Sequence, residues 1–220
     1  MPLPLIKFSS INKVIGFIMD GNRRWAKKNI VNLGAGYAQG ADIFFMVISQ
    51  CIEYNIKTII FYAMSSNNFK KRSKQELTII YEIGIKQLNN KKKFFIENKI
   101  KIVFIGDISA CDETIRKTIT EIEAETNEKE PIITVYILMI YDPYKDIFNY
   151  HINKKLFYSS AVPDIDLIIR TGGFNRLSGF LPIQSMNANI ITLEELWPDL
   201  TKEKLYSIFT NYKNTQNYGK

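Results

Sequence analysis

The stretch VIGFIMDGNRRWAKK, residues 14–28, decides how the rest of the chain is read. Its first six residues, Val14 to Met19, are apolar and rich in β-branched and aromatic side chains, so they predict a buried strand. Polarity then changes within one residue. Asp20, Gly21 and Asn22 are followed at once by Arg23, Arg24, Trp25, Ala26, Lys27 and Lys28. Glycine and asparagine directly after a strand permit a tight turn, and a helix starting there offers free N–H groups and a positive dipole.

Outward from this stretch, further β-branched or aromatic runs predict strands at 58–64, 101–106, 132–140 and 166–171, with a weaker one at 189–193. Helical spacing lies between several of them. Phe44, Val47, Ile48, Cys51 and Ile52 recur at three and four residues. So do Leu77, Ile80, Tyr81, Gly84, Ile85 and Leu88. Continuously apolar strands separated by helices predict an α/β fold: a mostly parallel sheet of about six strands, covered on both faces. No Pro/Gly/Ser linker and no repeat divides the 220 residues, so a single domain over 1–220 is expected.

In such sheets ligands sit beyond the carboxyl ends of the strands. Asp20 follows the first strand, Ser65 to Lys71 the second and Arg170 to Ser178 a late one, so the polar clusters fall on one edge. Arg23 or Arg24 can fork onto a phosphate. Asp20 would repel one, and fits only if it shares a divalent cation with it. On spacing alone two arrangements stay open: a Mg-bound diphosphate, or a solvated turn with Asp20 as helix N-cap. SSNNFKKR, residues 65–72, taken alone reads as a solvated loop capping the next helix. RTGGFNRLSGF, residues 170–180, places Arg170, Arg176 and Ser178 around a glycine turn, where backbone approaches closely and paired guanidinium groups can grip a second diphosphate. LGAGYAQGA, residues 33–41, lacks the strand context of a dinucleotide fingerprint and reads as glycines at a helix start.

Bulk properties narrow the field. The net charge of +7 fits an acidic partner. The two cysteines, Cys51 and Cys111, have no metal-type spacing, which favours a reduced, cytoplasmic setting. His151 is the only histidine, so a multi-histidine zinc site is excluded, and a surface position is expected for it. The opening MPLPLIKFSSINK has no cationic start with a long apolar run, and no apolar run is long enough to span a membrane.

Taken together and in order, IMDGNRRWAKK, FYAMSSNNFKK, DLIIRTGGFNRLSGFLPIQ and LWPDL (196–200) resemble the signatures of the cis-prenyltransferases, the undecaprenyl diphosphate synthase family, over roughly residues 14–200. The two glycines after Arg170–Thr171 resemble bacterial members. The resemblance implies a Mg2+-dependent enzyme that condenses isopentenyl diphosphate onto an allylic diphosphate, typically farnesyl diphosphate, with cis double bonds. It implies a homodimer with an apolar tunnel, making a polyprenyl diphosphate carrier for cell-wall sugars. It also implies peripheral contact with the inner membrane face and no nucleic-acid partner.

The resemblance assigns Asp20 to the Mg–diphosphate. Gly21, Asn22, Arg23, Arg24 and Trp25 line the allylic pocket, and Ser65, Ser66, Asn67, Phe69 and Lys71 count as substrate-binding. Asn68 takes the position associated with proton removal. Arg170, Arg176 and Ser178 take the isopentenyl diphosphate, with Leu177 also substrate-binding. The chain departs from the family pattern at Arg23, Leu33, Tyr37, Asn67, Phe69, Lys71 and 141–147. At Asn189 the family has a glutamate that joins the metal site. A rival expectation is a non-catalytic subunit supporting an active partner.

Overall fold

A computed structural model describes residues 13–153 and 158–215, with backbone alone for 149–153 and 213–215. The His151 side chain, the opening MPLPLIKFSSIN and the closing QNYGK lie outside the described residues.

Strand β1 (Val14–Ile18) is buried along its whole length, as its unbroken apolar run requires. Around it lie β2 (Thr58–Tyr62), β3 (Ile100–Ile105), β4 (Ile133–Leu138), β5 (Leu167–Arg170) and β6 (Asn189–Thr192). They form one sheet in the order β3-β4-β2-β1-β5-β6, and every pairing is parallel. Alternate β1 residues serve opposite layers. Ile15 and Phe17 join a cluster with Phe44, Val47, Ile48 and Trp197, whereas Val14 and Ile18 join Ile60, Ile168, Phe180 and Leu181. Gly16 has room for nothing more, because a Cβ there would stand 2.6 Å from the Phe180 ring.

The connections are helical: α1 (Asn22–Lys28), α2 (Leu33–Glu53), α3 (Ser66–Lys71), α4 (Lys74–Glu97), α5 (Glu113–Glu125), α6 (Pro143–Asn153) and α7 (Lys202–Thr215). Helix α2 starts at the Asn32 cap, whose side chain accepts from Ala35 N–H. It buries Phe44, Val47, Ile48 and Cys51 against the sheet, the face its spacing predicts. Residues 66–71 are helical rather than loop. Ser65 caps α3 by accepting from Asn68 N–H, and Ser73 caps α4 by accepting from Glu76 N–H. The Ser65 cap explains the difference, since it satisfies an N–H group at the start of α3 that a loop would leave to water.

The chain leaves β1 towards β2 on one side and returns to pair β5 on the other. The crevice between β1 and β5 is therefore the topological switch point, where ligands bind in open parallel sheets.

Candidate active site

The register Ile18↔Arg170 sets Asp20 beside Arg170 at the carboxyl ends of β1 and β5. The turn between them is held from both sides. Asp20 N–H donates to Thr171 Oγ1 at 3.1 Å, and Thr171 Oγ1 donates to Asp20 carbonyl at 2.8 Å. Trp197 N–H also donates to Asp20 carbonyl at 2.9 Å. Gly21 turns the chain with φ 127°, against Leu196. It is also the residue before α1, so Asp20 does not act as the helix N-cap.

Each oxygen of the Asp20 carboxylate accepts a hydrogen bond from a guanidinium group. Oδ1 accepts from Arg24 Nη2 at 3.1 Å and Oδ2 from Arg170 Nη2 at 3.1 Å. Arg24 Nη1 donates to Gly172 carbonyl at 2.9 Å. Arg170 is 3% exposed, and its Nη1 reaches Ser178 Oγ at 2.8 Å and the carbonyl of Arg176. Burial draws the Arg170 pKa down, the Asp20 hydrogen bond and charge draw it up, and the charges of Arg176 and Arg24 add to the fall. A buried fork that touches three partners is held rigidly, which suits bidentate recognition of an anion.

These groups open into a cleft of about 1200 Å³. Its lining includes Asp20, Gly21, Asn22, Arg23, Arg24, Ser65, Ser66, Asn67, Asn68, Arg170, Arg176 and Ser178, all expected from sequence. It also includes Lys70, Arg72, Tyr141, Asp142 and Phe174, which sequence reasoning missed. Six cationic side chains line it against the two carboxylates of Asp20 and Asp142, so an anion of multiple charge is the fitting occupant.

Asp142 fastens the second wall. Its Oδ2 accepts from Ser66 Oγ at 2.8 Å, and Oδ1 from Tyr144 N–H at 3.0 Å. Burial pushes its carboxyl up, but these bonds, one from Lys145 N–H and the Lys70 charge outweigh it and hold it below the usual carboxylate range.

Some expected residues lie elsewhere. Trp25 faces the turn that precedes α7 and donates from Nε1 to Asp199 Oδ1 at 2.7 Å. Phe69 packs among Met64, Cys111 and Ile115, and Leu177 beside Phe180. Lys71 is exposed and does not line the cleft. The neighbouring Arg72 does: its Nε stands 3.3 Å from Glu76 Oε1, which also accepts from Tyr37 Oη at 2.7 Å. The sequence signal for this was the S-x-x-E box at Ser73–Glu76, which makes Arg72 the last residue before a helix start. Asn189 starts β6 opposite Leu167, three positions from the Arg170↔Thr192 pair, on the edge away from Asp20. Its amide contacts Tyr212 Oη at 3.4 Å.

An apolar cavity of about 200 Å³ adjoins the cleft between α2, α4, α5 and the sheet. Phe44, Phe45, Ile80, Gly84, Leu88 and Ile119 line it, while Met19, Asn22, Tyr37, Ala63 and Arg72 line both spaces. At that seam Asn22 Oδ1 is buried with no hydrogen-bond partner among the described residues. Burial pushes the Tyr37 phenol well above its ordinary value. The Arg72 charge opposes this, and the hydrogen bond and charge of Glu76 add to it.

No three His, Cys, Asp or Glu side chains gather into a metal-holding group among the described residues. Magnesium needs no such cage, since one or two carboxylates and the phosphates of a substrate suffice. Asp20 supplies such a hard oxygen donor, with its side chain 33% exposed in the cleft, so the residues present fit that ion. No helix among the described residues is long and apolar enough to cross a membrane.

A cationic cleft at a parallel-sheet switch point, adjoining an apolar cavity, has the character to fit a multiply charged anion with an apolar body. Residues 18–219 match the family model described as "Putative undecaprenyl diphosphate synthase". An isoprenyl transferase of Campylobacter jejuni is 31% identical, over 94% of this chain and 98% of that one. The crystal structure of a probable undecaprenyl diphosphate synthase from the same species has a TM-score of 0.76 at 28% identity, covering 94% of this chain and 97% of that one. Lavandulyl diphosphate synthase from Lavandula x intermedia, at 23% identity, shares the fold with a TM-score of 0.82 over 91% of this chain and 94% of that one. The chain belongs to the undecaprenyl diphosphate synthase family and is a cis-prenyltransferase.

Proposed function

We propose that the chain elongates an allylic diphosphate, such as farnesyl diphosphate, with isopentenyl diphosphate to make a long polyprenyl diphosphate of the undecaprenyl type. The observation that carries this reading is the shared seam. The cleft suits a diphosphate and the adjoining cavity a hydrocarbon tail, so one ligand of both characters fits across Asn22, Tyr37 and Arg72.

In this reading Arg23 and Arg24 seat the allylic diphosphate, with Gly21 and Asn22 forming the turn beneath it. Arg170, Arg176 and Ser178 seat the isopentenyl diphosphate. Asp20 would hold Mg2+, which when bound neutralises the diphosphate charge and eases departure of that group. The allylic C–O bond breaks as negative charge builds on the leaving diphosphate, and fixed guanidinium groups stabilise that charge without reorganising. The alkene carbon of isopentenyl diphosphate attacks the allylic carbon, and a proton leaves the new chain. Asn68 is a poor base, so its amide positions atoms while a diphosphate oxygen takes the proton. Apolar burial of each added unit, at about 0.8 kcal/mol per CH2, draws the growing chain into the cavity.

A homodimer and peripheral contact with the inner membrane face complete the proposal, since the product is itself a lipid. The test is incorporation of labelled isopentenyl diphosphate into a butanol-soluble lipid, with farnesyl diphosphate and Mg2+ and chain-length analysis of the product. Folded protein that incorporates no label refutes an independently active enzyme.

A further inference from the structure

The Phe174 ring lies against three guanidinium groups at once. Its centroid is 4.5 Å from Arg176 Cζ, 5.1 Å from Arg24 Cζ and 5.7 Å from Arg170 Cζ. Phe174 is 41% exposed and lines the cleft. It is not a loose side chain on a loose loop. Gly172 and Gly173 precede it with φ 90° and 76°, and their N–H groups donate to the carbonyls of Glu195 and Leu193, both at 2.8 Å. The turn is thereby pinned to the end of β6.

Arg24 and Arg170 are also tied down by Asp20. Arg176 differs: among the described residues its guanidinium forms no ion pair, and the Phe174 ring is the group it rests on. Three like charges gathered in one place repel one another and scatter unless something holds them. A carboxylate can do so, but it cancels the positive charge that an incoming anion needs. An aromatic face attracts cations through its quadrupole and carries no net charge. It orders the guanidinium groups and leaves their charge to the ligand, which lowers the ordering cost of binding.

We propose that Phe174 is a positioning residue that pre-orients Arg176, against Arg24 and Arg170, for the second diphosphate. This rests on the reading of the cleft as a prenyl diphosphate site, and it adds a specificity element which that reading does not contain. The consequence is asymmetric: Asp20 still holds Arg24 and Arg170 when the ring is removed, so the isopentenyl diphosphate side suffers most.

The experiment compares wild type, Phe174→Leu and Phe174→Trp, with melting temperatures confirming folding. Inorganic pyrophosphate is titrated calorimetrically, and steady-state kinetics are measured for both substrates. Phe174→Leu keeps apolar bulk but loses the π face. It is expected to weaken pyrophosphate binding and raise KM for isopentenyl diphosphate by about tenfold, with kcat and the allylic KM within about threefold. Phe174→Trp is expected to restore both. Unchanged binding and KM in Phe174→Leu overturn the proposal, as does a Trp variant no better than the Leu variant. A wild type that binds no pyrophosphate refutes the underlying reading of the cleft, and this proposal with it.

Discussion

Arg170 Nη2 donates a hydrogen bond to Asp20 Oδ2 at 3.1 Å, although 150 residues separate them. The carboxylate keeps a second guanidinium, that of Arg24, on its other oxygen. The carboxylate and the two guanidinium groups satisfy one another, and Asp20 is the pivot on which the cationic wall is aligned. Asp20→Ala should lower the rate of prenyl transfer by about two to four decades, if cation and guanidinium alignment supply several kcal/mol. Single-turnover kinetics check this, with circular dichroism confirming the fold.

Trp25 belongs to a different part of the energetics. Its indole N–H serves Asp199 and it does not line the cleft. Trp25→Phe should cost about 1.5–3 kcal/mol of stability, the range for a hydrogen bond to a charged group. Both KM values should stay within about twofold. Denaturant unfolding together with steady-state kinetics separates this from a direct substrate role.

Gly84 lies in the middle of α4 on the cavity wall, and a Cβ there would meet nothing within 4 Å. Neither close packing nor an unusual backbone angle requires glycine at this point. Gly84→Ala should therefore stabilise the protein by about 0.5–1 kcal/mol with little change in product. Gly84→Phe should fill the cavity and shorten the product, leaving the first condensation intact. Melting curves and product chain-length analysis read the two outcomes.

Ile30 occupies a place that favours glycine. Val31 N–H donates to Ala26 carbonyl and Ile30 N–H to Lys27 carbonyl, which is the Schellman ending of a helix. Ile30 has φ 56° and is 95% exposed, so a β-branched side chain bears left-handed strain with no packing in return. Ile30→Gly should raise stability by about 1 kcal/mol, a rise of about 2–4 °C in Tm for a chain of this size. Calorimetry checks it.

Asp142 sets an acid limit on the second wall. Its folded pKa lies below the usual carboxylate value. Its contribution to stability is therefore complete above the unfolded value of about 3.9, and is lost as pH falls through the folded value. Asp142→Asn keeps the shape and removes this titration. The stability gap between wild type and variant should be constant near pH 6 and close as pH drops below about 4. Urea midpoints across that range give the comparison.

Local chemistry made much of this molecule legible from sequence. Six β-branched or aromatic runs became six strands: the inner ones are apolar because both their faces are buried, whereas β6 is an exposed edge strand marked only by its Ile190–Ile191 pair. The α2 face followed from spacing alone, and the polar ends of β1, β2 and β5 were placed on one sheet edge by the direction of a parallel sheet. The helix at 66–71 was not legible, because its serine cap, Ser65, reads equally well as a loop residue. Nor were Asp142 and Phe174, whose roles arise from what packs opposite them, while only the helix-start box at Ser73–Glu76 pointed towards Arg72.

Residues 14–28 thus determined a buried strand ending in an acid and a cationic helix, since strand burial and helix spacing are set by neighbours a few positions apart. Which guanidinium groups meet Asp20, that Trp25 turns to Asp199, and that a cationic cleft adjoins an apolar cavity were decided only by tertiary structure. Those relations depend on the register of β1 against β5 and on how far α4 stands from α2. Both are long-range distances that the many weak contacts of the folded core settle together.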